Sequence, residues 1–249
     1  MDRPPNLSLA EQLAATQDWW RDAGVDQVFG DEPIALLHPP EGDAGPAWTD
    51  EPARQVASEP PPVPRLGGER AHWPMSLDDF RQFWLQAARV DGGGSRPSVP
   101  PRGPAQAQLA VLVPMPEEED RDTLLSGRHG ALLSGFLKAA GIAEDRTYFA
   151  SALPHHLPMP DWDGLTAQGL GDLAAHHLAL SGARRVLVLG SRLPSLLGHD
   201  PAQPPSLFRK ISANSRDMPA LACHGPVQLL QNARLRAHLW HGWLDWTKA

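Results

Sequence analysis

The sequence predicts an α/β protein, a three-layer α/β/α sandwich around a central four-stranded parallel sheet. Three observations predict it. Short apolar runs alternate with helical patterns through residues 106–249. Those runs are almost continuously apolar, as strands covered on both faces must be. The apolar share of 41% is concentrated in that half and suffices for such a core.

The elements follow in order. Residues 8–23 place Leu9, Leu13, Ala14, Gln17 and Trp20 near one helical face, with Ser8 and Glu11 as a capping box and Gly24 as the stop. A second helix is expected at 76–90, where Leu77, Phe80, Phe83, Trp84 and Ala87 form a stripe. Short helices are marginal alone, so both are expected to dock on the core. Strand 109–113 precedes a helix at 130–140, and strand 147–153 precedes one at 165–181. Strand 185–190 runs into the short helix "SRLPSLLG". A fourth strand, "PALAC" at 219–223, leads to the last helix at 229–246.

The domain plan follows from composition. Residues 1–37 form an N-terminal helical segment docking on the core. Residues 38–105 read as a Pro/Gly-rich linker carrying one helix, because the 13 prolines from His38 to Pro104 come with few aliphatic side chains. Residues 106–249 form the α/β domain.

Net charge is −7, which argues against nucleic acid as a strong partner. From Arg184 onward, however, nine Lys/Arg face three Asp. That basic quarter is compatible with weak phosphate binding, or with solvated helix faces. The single cysteine, Cys223, allows no internal disulfide and no cysteine-based metal or iron–sulfur site. No run approaches a membrane span and "MDRPPNLSLAEQ" has no signal-peptide pattern, so a soluble, cytoplasmic and monomeric protein without membrane contact is expected.

In parallel sheets ligands sit at the carboxyl ends of the strands. Four segments fall there: "PMPEEED", "PHHLP", "GSR" and "HGPVQ". The first carries four consecutive acids, Glu117 to Asp120, directly after a buried strand.

At these segments the chain resembles the uracil-DNA glycosylase superfamily, closest to family 4, the iron–sulfur type. "WWRDAGVDQVFGDEP" resembles that family's N-terminal helix and exit. "SGRHGALLSGFLKAAGIAEDRTYFASAL", "RRVLVLGSRLPSLLG" and "HGPVQLLQNARLRAHLW" resemble its later segments in order and spacing. The resemblance implies a uracil-DNA glycosylase-like fold and hydrolysis of the base–deoxyribose bond after the base is flipped into a pocket. In that chemistry an acid in the first loop activates water, an aromatic ring stacks on the base and an Asn reads its edge. A His in the last loop stabilises charge on the leaving base.

Carried over by position, Pro114 stands where the acid belongs, Leu125 near the stacking ring and Ser151 at the Asn. Met115 joins them in the implied base pocket. His224 alone retains a functional identity. Three cluster cysteines have no counterpart and His155 occupies the fourth position, so no iron–sulfur cluster and no other cofactor is expected. Losing one donor aimed at developing charge costs about 2.7–4 kcal/mol. Losing acid, ring and amide together implies a catalytically degenerate member.

Several side chains carry two readings each. Glu119 or Asp120 is a displaced acid or part of a solvated loop. His224 is an electrophile or a loop anchor. Arg128, in the Gly-flanked turn "SGRHG", helps bind a phosphate at a helix N-terminus or packs the turn. Ser191, Arg192, Arg234 and Arg236 are the other candidate DNA contacts. His155 and His156, with His176, His177 and Cys223, lack metal-ligand spacing, and no metal site is expected. Trp240, Trp243 and Trp246 read as core or interface. The leading expectation is a repair-related DNA- or protein-binding module. An active glycosylase using His224 with Glu119 or Asp120 is the alternative, and a non-DNA scaffold engaging partners through the Pro-rich linker is the third.

Overall fold

The computed structural model describes residues 8–23, 65–86, 97–200, 202 and 210–248. The chain divides into two units, Met1–Ser58 and Glu59–Ala249. In the first, helix α1 (Leu9–Asp22) begins with the expected capping box: Ser8 Oγ accepts from Glu11 N–H and the Glu11 carboxylate accepts from Ser8 N–H. None of its side chains is buried. Its expected stop, Gly24, lies outside the described residues.

In the second unit, α2 (Leu77–Trp84) is capped by Ser76, whose Oγ accepts from Asp79 N–H at 3.1 Å. Leu77, Phe80, Phe83 and Trp84 of its stripe are buried. The helix ends at Trp84, short of the expected 90, and Ala87 lies outside the described residues. The rest runs β1 (Leu109–Val113), α3 (Arg128–Ala139), β2 (Thr147–Ser151), α4 (Trp162–Ala167), α5 (Leu170–Ser181), β3 (Val186–Leu189) and α6 (Leu193–Leu196). It closes with β4 (Lys210–Ala213), β5 (Arg216–Cys223), α7 (Pro226–Gln231) and α8 (Ala233–Lys248).

The architecture is α/β, but the sheet has five strands in the order β2-β1-β3-β5-β4. β2, β1, β3 and β5 pair in parallel, while β4 pairs antiparallel with β5. The expectation of a purely parallel four-stranded sheet is therefore corrected. The extra strand escapes an apolar-run criterion because "KISA" alternates exposed and buried, as an edge strand does. Its link to β5 is a two-residue turn, Asn214 and Ser215, both at positive φ (50° and 60°), the geometry of a tight hairpin.

Two expected helices are broken. Gly169, at φ 86°, separates α4 from α5, a conformation glycine adopts without steric cost. Asn232 leaves helical geometry between α7 and α8, and its side chain accepts from Arg234 N–H to start the last helix.

Strand residues alternate between two cores. Leu109, Val111 and Val113 pack with Leu133 and Leu137 of α3, Leu229 of α7, and Leu239 and Trp243 of α8. Ala110 and Leu112 face Leu170 and Leu178 of α5 and Leu193 and Leu196 of α6. Trp243 is buried, with Trp240 and Trp246 packed partly against the same core, as the helical spacing of the three suggested. A third cluster joins Trp73, Phe80, Phe83 and Trp84 to Leu173 of α5. The Pro-rich stretch thus contributes core residues at Leu66, Trp73, Leu77 and Val99. No helix among the described residues is long and apolar enough to cross a membrane.

Candidate functional site

A cleft of about 560 Å³ opens at the carboxyl ends of the parallel strands. All four segments singled out in the sequence reach it: Val113, the last residue of β1, with Pro114 to Glu119 after it, His156 after β2, Gly190 to Arg192 after β3, and Gly225 to Gln228 after β5. Leu125, Gly127, Arg128 and His129 close one side and Trp162 another. Among the expected residues, Pro114, Met115, Glu119, Leu125, Arg128, Ser191 and Arg192 line it. Asp120, Ser151, His224, Arg234 and Arg236 do not.

The acidic loop divides its carboxylates by position. Asp120 is buried, at 3% exposure. Its Oδ2 accepts from the N–H groups of Glu117 (2.9 Å) and Leu125 (2.7 Å). Its Oδ1 accepts from the N–H and the hydroxyl of Ser126, at 2.9 and 2.6 Å. Four donors on one carboxylate make it the strut of the loop, with no lone pair turned to the cleft.

Glu117 reaches the start of α3, ten residues further on. One oxygen accepts from Gly127 N–H (3.1 Å) and Gly130 N–H (3.2 Å), the other from His129 N–H (3.1 Å). His129 Nδ1 stands 3.6 Å from the same carboxylate. α3 has no capping side chain of its own, so Glu117 caps it from a distance and sits where the helix macrodipole favours an anion. The two glycines of "SGRHG" follow from this packing. A Cβ on Gly127 would lie 2.8 Å from the Glu117 carboxylate, and one on Gly130 only 1.8 Å from the Leu125 carbonyl oxygen. The phosphate position read into this turn is held by the protein's own carboxylate. Arg128 remains exposed on the rim beside it.

Glu119 is different. It is exposed on the cleft wall and makes no hydrogen bond or ion pair among the described residues. His156 is half-buried, with Nδ1 3.1 Å from Pro116 O. A carbonyl only accepts, so Nδ1 is the donor of that contact.

Ser151 donates its hydroxyl to Leu153 O at 2.7 Å inside the core. His224 is exposed at the end of β5, before Gly225. Arg236 donates to Leu229 O (2.7 Å) and Leu230 O (3.1 Å), closing the end of α7. Burial raises the Cys223 thiol above its ordinary range, with a small opposing effect from the His224 backbone.

Two further lining residues carry recognition chemistry. Trp162 supplies a ring; its signal was the cap motif "DWDG", in which the Asp161 side chain accepts from Gly164 N–H. Gln228 supplies an amide with both donor and acceptor atoms.

The two histidine pairs lie in different surroundings. His155 and His156 stand beneath the acidic loop, where His155 lines a smaller 210 Å³ cleft with Asp120 and Arg121. His177 is enclosed by α2, stacked on Phe80 at 4.4 Å, and its Nε2 lies 2.8 Å from the Tyr148 hydroxyl. Its neighbour His176 bridges Asn214 and Pro74 O. The residues present do not fit a four-thiolate iron–sulfur cluster, because the one cysteine lies in β5 and His155 follows β2. No group of three or more His, Cys, Asp or Glu among the described residues is placed to hold a metal ion. No family model and no curated protein matches the chain.

Proposed function

We propose that the chain is a uracil-DNA glycosylase-like protein of three-layer α/β/α fold that has given up base excision and acts as a binding module, contacting DNA weakly through exposed or flipped bases. One observation carries the loss of chemistry. The two loop acids with fixed positions, Glu117 and Asp120, spend their oxygens on backbone N–H groups, and Pro114 occupies the wall between them and the sheet. A carboxylate committed to three or four donors is a poor general base, because taking a proton would break those bonds.

Binding is supported by what lines the cleft. The Trp162 ring can stack on a base, and the Gln228 amide can read its edge. Arg128 and Arg192 stand on the rim as phosphate contacts, opposed by Glu118 and Glu119. Affinity should therefore be low and strongly salt-dependent. A residual glycosylase is the second reading, favoured by the Glu119 carboxylate on the cleft wall, which has no partner among the described residues.

Oligonucleotides carrying uracil, hypoxanthine or xanthine, in single and double strands, separate the readings. The expected result is no abasic sites after alkaline cleavage, with a low-salt gel shift that Trp162→Ala weakens by about 1–3 kcal/mol. Abasic sites that disappear in Glu119→Gln would establish the glycosylase instead. Absence of any shift at low salt would remove DNA as the partner and leave protein binding.

A further inference from the structure

A second cleft, about 380 Å³, opens at the opposite edge of the sheet, where β1 and β3 begin. Gln108 precedes β1, and Arg184 and Arg185 precede β3. Two backbone bonds fix them side by side: Arg184 N–H donates to Ala107 O at 3.1 Å and Ala110 N–H to Arg185 O at 2.8 Å. Trp243 and Thr247 of α8 form the facing wall.

The lining holds two guanidinium groups and no carboxylate. In a chain of net charge −7 that is an unusual local balance. Neither guanidinium makes an ion pair or a hydrogen bond among the described residues. Arg185 is half-buried, its guanidinium 5.4 Å from the Trp246 ring, so its position is set by packing.

Arginines at this edge commonly serve helix C-termini, but that role is filled here. Arg216 donates to the Gly182 and Ala183 carbonyls after α5. At the end of α3, the N–H groups of Gly141 and Ile142 satisfy the carbonyls of Lys138 and Leu137. Arg184, which is exposed, and Arg185 bring ten N–H bonds to the cleft, and none of them has a protein acceptor among the described residues. The Gln108 side-chain amide also makes no hydrogen bond among the described residues. Thr247 donates its hydroxyl to Trp243 O at 2.9 Å, leaving its oxygen as an acceptor only.

We infer that this cleft is an anion site for a small phosphate-bearing ligand, held by Arg184 and Arg185 in bidentate fashion with Gln108 as an added donor. The planar guanidinium fork matches phosphate oxygens, and two forks suit a diphosphate better than a single charge. The site is separate from the carboxyl-edge cleft and does not depend on the reading of that cleft.

The test is calorimetric titration of the full chain with inorganic pyrophosphate at low ionic strength, with citrate as the carboxylate control. One saturable site with a Kd at or below about 1 mM is expected, with citrate clearly weaker. Arg184 and Arg185 Nε–H signals should shift in NMR. R184Q/R185Q should weaken binding by about tenfold or more at an unchanged Tm. If that variant does not fold, R184K/R185K serves instead; it keeps the charge, loses the fork and should still bind markedly less well. No saturation by about 10 mM would overturn the inference. So would equal affinity for citrate, unchanged binding in the arginine variants, or loss of binding in R128A/R192A, which would move the anion to the other cleft.

Discussion

The two edges of the sheet handle charge in opposite ways. At the carboxyl edge, four consecutive acids look reactive in sequence, yet two of them are consumed by the fold: Asp120 ties its own loop and Glu117 caps α3. At the amino edge, two arginines look ordinary in sequence, yet among the described residues neither guanidinium has an acceptor, and the lining of their cleft has no acid. A side chain's availability for a ligand depends on what the backbone already demands of it. Loops at strand ends leave many N–H groups unpaired, and nearby carboxylates satisfy them first.

The largest expected effect comes from the most deeply committed group. Asp120→Ala leaves the N–H groups of Glu117, Leu125 and Ser126 without the buried carboxylate that accepts from them. A loss of about 3 kcal/mol or more in urea unfolding is expected, with Asp120→Asn retaining part of it through one oxygen. If Asp120→Ala were as stable as the parent, the carboxylate would be free for other work and the contrast between the edges would fail.

This contrast also marks how far the sequence was legible. Four parallel strands could be read because burial on both faces leaves a continuous apolar run, as in Val186–Leu189. β4 could not, since an edge strand shows only half its side chains to the core. The location of the cleft was legible from topology, because it follows from strand direction alone. The state of its side chains was not. That Glu117 rather than Glu119 meets α3 depends on the path of the loop, which composition does not encode. Trp162 enters the cleft from a helix that begins three residues before the apolar pattern suggests. The linker composition of 38–105 concealed Leu66, Trp73 and Val99, since isolated apolar residues among prolines carry no period.

Histidines repeat the comparison between edge and interior. His156 lies on the cleft wall, whereas His177 is fully enclosed and held down to about 3. Burial is the chief cause, with His176 and Arg81 adding like charge. Its partner, the Tyr148 hydroxyl, is raised above its usual range by the same burial. The folded state therefore keeps His177 neutral, while the unfolded chain takes up a proton below about 6.5. Stability attributable to His177 is full above pH 6.5 and falls as pH drops toward 3, by up to about 1.4 kcal/mol per unit. His177→Phe should flatten that slope in unfolding measured between pH 6.5 and 4.5. An unchanged slope would assign the acid sensitivity elsewhere.

Glu117 tests whether the cap is replaceable. Glu117→Ala should cost about 1–2 kcal/mol, the usual scale of a lost cap with hydrogen bonds to a charged acceptor. It also uncovers three N–H groups at a helix N-terminus beside Arg128. The variant should consequently gain stability from added phosphate where the parent does not gain it at this end. Equal phosphate response in both proteins would mean that Glu117 does not hold the anion position.

The smallest structural effect is expected at Glu119, and that makes it the cleanest probe of function. Its carboxylate is exposed and has no partner among the described residues, so Glu119→Gln should change stability by no more than about 0.5 kcal/mol. The same substitution removes one negative charge from a rim that also carries Arg128 and Arg192. If the cleft binds DNA without chemistry, affinity for oligonucleotide should rise slightly at low salt and converge with the parent as salt screens the rim. If Glu119 serves as a general base, the substitution should instead leave binding nearly unchanged and abolish abasic-site formation. Because the fold is indifferent to this side chain, either outcome reports on the cleft alone.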